Sequence, residues 1–350
     1  MEKFLFLFII LLNILLISIL TGLLLYLILR KKKYNRRLRR KEILKSKLSP
    51  YLQNHFLHNV EFKTRILQND PLFFEVLEDL LNHFGMIMKS EETENKTQVI
   101  AREFLSEYYV VRMKHPRWSI RMNTLFQIED FRIDTFRPNL WNRFEELSNN
   151  DAIERMQIIK TLASLQDHKL ISFLLVSPHP FSKVEYKEVL RRLNDNVLIS
   201  FIDSFSKLYE PFQIALIEFI GEQNDIHYLP FVEAQVNNPS LEMRLSTMKT
   251  LSSLGYMNDY NKILPLSKST NWEERMIFAR LCGSIKKERS KSTLIQLLED
   301  ESWFVRNAAG EALSQYNDGN YILTHIVQSH QDPFAKDMAL QWLERSEDKE

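Results

Sequence analysis

Apolar positions recur with a helical period along most of the chain. Across residues 299–316, EDESWFVRNAAGEALSQY, a polar and acidic turn is followed, counting from Arg306, by Ala308, Ala309, Ala312, Leu313 and Tyr316 on one stripe. That spacing predicts one amphipathic helix. The same frame returns at Arg155, Arg244, Arg275, Arg306 and Lys336, the last four separated by 31, 31 and 30 residues. Seven positions after each anchor stand Leu162, Leu251, Cys282, Leu313 and Leu343, and three after it Ile158, Thr247, Phe278, Ala309 and Ala339. An internal repeat is expected, with room for a second short helix at residues 170–176, 226–236, 262–268, 292–298 and 321–327. Each unit then reads as a helical hairpin.

A different pattern opens the chain. Residues 4–29 are 26 positions without a charge. As a helix they extend about 39 Å, enough to cross a hydrocarbon core of about 30 Å with tilt. A cleaved secretory signal has a shorter apolar region of roughly 7 to 15 residues ending in small residues, and no Ala-x-Ala follows here. The run is therefore expected to be a single transmembrane helix. Asn13, Ser18 and Gly22 interrupt it. They read either as tolerated polarity or as a helix contact that would support a homodimer through this segment.

Residues 48–115 hold three further amphipathic stretches outside the repeat register, broken by polar residues at 68–70 and 89–96. They are expected to cap the array, because terminal repeat units meet water on one side. The expected organisation is an anchor at 1–29, a basic juxtamembrane segment at 30–47, a helical cap at 48–115, repeats at 116–346 and a tail at 347–350. Within the repeats the units run at 116–149, 150–177, 178–207, 208–237, 238–269, 270–299 and 300–328, with a last helix at 331–345.

LLEDESWFVRNAAGEAL, YLPFVEAQVNNPSLEMRLSTMKTL and ILPLSKSTNWEERMIFARLC resemble the HEAT repeat and the related short bacterial HEAT-like repeats. Those units join a leucine- or proline-containing helix, an acidic turn and an arginine-led alanine- and leucine-rich helix. The units around Lys187 and Gln213 lack the arginine. The resemblance covers roughly residues 116–346 and implies an all-α chain, with a right-handed α-solenoid of hairpins following the transmembrane helix. It also implies that the recurring arginine pairs with a carboxylate or carbonyl of a neighbouring unit, with Asp151, Asp300 and Asp332 as candidates. The alternative is that Arg155, Arg244, Arg275 and Arg306 face a shared groove and hold an acidic peptide. Trp118, Trp272 and Trp303, each three residues before an arginine, either fill the turns between units or form an exposed row for a protein partner.

Charge sharpens the membrane reading. Residues 30–47 carry 11 Lys or Arg and one Glu, a local +10, so with +1 over the whole chain the remainder carries −9. Basic residues stay on the cytoplasmic side, and only Lys3 precedes the apolar run. The expectation is a single-pass protein of the cell membrane, N-terminus outside and the long C-terminal part cytoplasmic. Arg30, Lys31, Lys32, Lys33, Arg36, Arg37, Arg39, Arg40 and Lys41 form a collar expected to face anionic lipid, at roughly 1 kcal/mol per basic residue near the surface. Nucleic acid is not expected as a partner, because the acidic body would repel it.

Catalytic signatures do not emerge from the sequence. It has no glycine-rich phosphate loop, HExxH, nucleophile elbow or cysteine cluster. The single Cys282 occupies a leucine position of its repeat and reads as a core residue, and His55 and His58 lack a third ligand at metal spacing. No cofactor, no metal and no enzymatic activity are expected. The reading is a membrane-tethered scaffold or adaptor that binds a protein through its helical surface, possible company being the subunits of a membrane enzyme or transport complex. Two alternatives stand beside it: a HEAT-like enzyme of the chromophore-lyase type, and a tethered nucleic-acid-binding solenoid.

Overall fold

The computed structural model describes residues 2–63, 68–176 and 181–347 and contains helices but no strand among them. Two compact units are present, Met1–Thr161 and Leu162–Glu350. The expected unit boundary at 177/178 and residues 348–350 of the expected tail lie outside the described residues.

The first unit is built on α1, Glu2–His58, a helix of 57 residues that runs unbroken across positions 29/30 and 47/48, where the composition changes. Its apolar portion from residue 11 to residue 29 is exposed throughout. Further along, Leu44, Leu48, Leu52 and Phe56, spaced by four and so on one face, are buried. Removing these four side chains from water is worth on the order of 6–12 kcal/mol as an upper bound. They pack with α2 (Phe73–Ile87), which packs on α3 (Glu91–Met113), and that on α4 (Trp118–Asp130). Helix α3 starts where it does because the Ser90 hydroxyl accepts from Thr93 N (3.2 Å), with Glu91, Glu92 and Glu94 in the first turn. Thr124, a polar residue at a repeat position that calls for an apolar one, is fully buried. Its hydroxyl is satisfied by donating to Ile120 O (2.8 Å) and accepting from Arg112 Nε (3.3 Å). Helices α5 (Arg137–Glu146) and α6 (Ala152–Ser164) follow, and the division between the two compact units falls inside α6.

The second unit continues with α7 (His168–Val176), α8 (Lys183–Leu190), α9 (Asp195–Asp203), α10 (Glu210–Gln223) and α11 (Leu229–Glu233). It is completed by α12 (Leu241–Leu254), α13 (Trp272–Ile285), α14 (Ser290–Leu297), α15 (Trp303–Ser314), α16 (Gly319–Ser329) and α17 (Pro333–Glu347). Helices α8, α10, α12, α13, α15 and α17 pack side by side in that order as one layer, while α11, α14 and α16 lie against it as a second. In the second layer the expected helix at 262–268 is a 3-10 segment, Leu264–Lys268, carrying a proline at its start. Left-handed residues stop the long helices: Asn224 (φ 54°), Gly255 (φ 64°) and Lys286 (φ 54°). The layer closes tightly where side chains are missing. A Cβ on Gly283 of α13 would lie 2.9 Å from Ala312 Cα of α15, and one on Gly310 of α15 would lie 2.5 Å from Trp342 Cδ1 of α17.

Candidate functional site

The recurring arginines bond the backbone of their own repeat, and some also bridge to the following one. Each guanidinium reaches back to carbonyls of the turn before its own helix: Arg121 to His115 O (2.9 Å) and Pro116 O (3.1 Å), and Arg244 to Asn238 O (2.8 Å) and Pro239 O (3.0 Å). Arg275 donates likewise to Ser269 O (2.7 Å), and Arg306 to Asp300 O (2.7 Å) and Glu301 O (3.1 Å). Three of them also take a carboxylate supplied by the next unit. Arg121 pairs with Glu154 (2.7 Å), which Arg143 shares at 3.0 Å; Arg244 pairs with Glu274 (2.5 Å); Arg275 pairs with Asp300 (2.6 Å). The Asp300 contact holds the Arg275 guanidinium above its ordinary pKa, against an opposing contribution from burial.

Of the three candidate carboxylates, only Asp300 meets a repeat arginine in this way. Asp151 instead accepts from Ser148 N (3.1 Å) and Ser148 Oγ (2.8 Å), and Asp332 accepts from Ala335 N (2.7 Å), so both cap helix starts. Arg155 donates to Phe144 O (3.0 Å) and Leu147 O (2.8 Å) and stacks over the Phe144 ring at 3.9 Å. The units without an arginine keep the connection in altered form. Lys187 reaches Glu218 (3.1 Å) and Glu222 (2.9 Å) of α10, and Gln213 donates to Phe205 O (2.7 Å). The frame spacing from 187 to 218 could have indicated the lysine's partner in advance.

The aromatic positions behave differently. Trp272, Trp303, Phe304 and Phe334 stand in the first turns of α13, α15 and α17 and remain exposed, by 39%, 48%, 55% and 62%. Trp272 and Phe304 lie 5.2 Å apart between centroids, Trp303 meets Phe304 edge-on at 5.5 Å, and the Arg306 guanidinium lies 5.0 Å from the Phe334 centroid. An aromatic ledge thus follows the second unit, with Trp272, Trp303 and Phe304 in mutual contact and Phe334 standing beside Arg306 at the next helix start, so that Phe304 and Phe334 extend what the tryptophans alone suggested. Trp118, in the first unit, is also exposed.

The collar divides. Arg37, Arg40 and Lys41 face Glu75, Asp70 and Asp79, the last two at 3.3 and 2.7 Å. Arg30, Lys31, Lys32, Lys33, Arg36 and Arg39 have no ion pair among the described residues and are exposed.

A cleft of about 610 Å³ opens between α14 and α16, lined by Glu299, Tyr321, His325, Ser329 and His330 among others. In it Ser329 Oγ lies 3.1 Å from His325 Nδ1 and donates to His325 O (2.7 Å). His330 accepts from Asp332 N at Nδ1 (3.2 Å), leaving Nε2–H to donate to Glu299 (3.1 Å). In the first unit His55 donates Nδ1–H to Val60 O (2.8 Å). Cys282 is buried against Tyr260 Oη (3.3 Å), and burial pushes its thiol up to about 11.

Residues 260–344 match the family described as HEAT repeats. That HEAT segment contains α13 to α16, most of α17 and the entire aromatic ledge. Among solved structures, the crystal structure of an engineered protein from the Northeast Structural Genomics Consortium is similar to the chain at 14% identity and a TM-score of 0.34. The match covers 79% of this chain and 78% of that one. No curated protein matches.

Proposed function

We propose that the protein is a membrane-anchored helical-repeat scaffold whose HEAT segment docks a protein partner along the ledge of Trp272, Trp303, Phe304 and Phe334. The carrying observation is the exposure of four large aromatic side chains at successive helix starts, where internal turns could have buried them. Aromatic residues supply large contact area at little entropic cost and dominate docking energetics. The turn acids Glu273 and Glu301, and a net charge of −9 outside residues 2–3 and 30–47, suit a partner segment that flanks apolar side chains with basic ones. The anchor is the apolar part of α1, long and apolar enough to cross a membrane and uncovered by any other described residue. The basic residues that follow would keep the repeats on the cytoplasmic side, and tethering raises the local concentration of the scaffold for a membrane-bound partner.

The test is a photo-crosslinker at Phe304 in intact cells, read beside a W272A/W303A/F304A triple variant in a gentle-detergent pull-down. One protein captured by the crosslinker and lost from the triple variant is expected. Recovery of nothing above background would overturn the reading, as would a partner indifferent to the triple substitution.

A further inference from the structure

The basic collar divides into an inward group and an outward group around one helix. At about 100° per residue, Arg37, Arg40 and Lys41 lie on the side that carries Leu44 and Leu48 into the core, and α2 and the turn before it answer them with Glu75, Asp70 and Asp79. Lys31, Lys32 and Arg39 point away from that side, by about 120–160°, while Arg36, four residues before Arg40, lies to its flank at about 100°. With Ile28 and Asn35 they line a shallow cleft of about 370 Å³ along α1, and no carboxylate among the described residues reaches them. The inward charges are compensated within the fold and the outward ones are not.

Height along the helix matters as much as direction. If the hydrocarbon edge lies near Leu29, Lys31 and Lys32 fall about 3–5 Å beyond it and Arg36 and Arg39 about 10–15 Å beyond it. The headgroup layer is about 5–8 Å deep on each side. The two lysines therefore sit within it, and the two arginines reach back through side chains long enough to contact phosphate oxygens from below, with Asn35 offering an amide donor between them. Because α1 continues without a break into the first unit, the outward face is held in this orientation.

We propose that this outward face, Lys31, Lys32, Asn35, Arg36 and Arg39, is a binding site for the phosphate groups of anionic lipid, and that Arg37, Arg40 and Lys41 belong to the fold instead. The site rests on the membrane reading above and narrows the lipid contact to one side of the helix. The full-length chain is reconstituted into nanodiscs of phosphatidylglycerol in phosphatidylcholine, and the lipids retained through mild purification are quantified by mass spectrometry. Wild type should retain phosphatidylglycerol well above its bulk share. K31Q/K32Q/R36Q/R39Q should lower that enrichment at least about fivefold while keeping the thermal midpoint, whereas R37Q/R40Q/K41Q should keep the enrichment. Equal losses in the two variants, or none in the first, would overturn the assignment. So would displacement of the lipid by millimolar inorganic phosphate, which would make the face a site for a free anion. A chain released from cell membranes by alkaline wash would instead defeat the membrane reading itself.

Discussion

At Arg275 one side chain carries a carbonyl clamp and a carboxylate pair at once, and both charges are nearly dry: Arg275 is 9% and Asp300 7% exposed at the side chain. Removing one partner leaves the other buried and uncompensated, which costs about 3–5 kcal/mol. Arg275→Ala should lower unfolding stability by about that amount in urea titration, and Arg275→Met with Asp300→Leu should recover much of it. Glu218 and Glu222 illustrate the opposite regime. Burial raises both carboxyl groups, but bonds to Lys187, with Lys183 and Arg191 nearby, outweigh it and leave both below their ordinary value of 4.5. A folded-state value below the unfolded one stabilises the protein above about pH 4.5, and that contribution disappears as pH falls through the depressed values. Thermal midpoints should therefore fall on acidification over that window, and less steeply in E218Q/E222Q. Cys282, raised by burial, should react with a maleimide only after unfolding.

Two glycines separate close packing from mere helix propensity at the level of the element. Gly319 opens α16 directly against the end of α15, where a Cβ would lie 2.3 Å from Leu313 O. Backbone cannot yield as a side-chain tip can, so Gly319→Ala should destabilise by about 1–3 kcal/mol. Gly85, inside α2, has nothing within 4 Å of such a Cβ, and Gly85→Ala should stabilise by about 0.5–1 kcal/mol through helix propensity. Both are measured as shifts in chemical denaturation. Element boundaries were partly legible in advance. Hairpins followed the arginine frame because the helical stripe and its polar turn are local features. The 3-10 segment at 264–268 was not legible, since it depends on how that stretch is met by its neighbours. The apolar, basic and core-packing stretches of α1 form one continuous helix.

For the molecule as a whole, the exposed apolar surface of α1 sets the largest expectation. Some fifteen large hydrophobic side chains from Leu11 to Leu29 are exposed, and an apolar surface of that size calls for a membrane or a partner to cover it. A chain lacking residues 1–29 should move from the membrane pellet to the supernatant in fractionation, while the full chain should resist alkaline extraction; a full chain in the supernatant would contradict the anchor.

Local periodicity was sufficient to read the helices, the repeat frame, the long apolar run and the collar, because each is written in the spacing of neighbouring side chains along one helix. It could not say which cations would be neutralised or which aromatics would stay in water. Arg121, Arg244 and Arg275 find their carboxylates roughly 25 to 33 positions downstream, Arg37 and Arg40 find theirs 38 and 30 positions away, and Trp272 meets Phe304 only because α13 packs on α15. Those pairings belong to the packing of one helix on the next, where the partner's position is decided by three-dimensional closeness rather than by chain order.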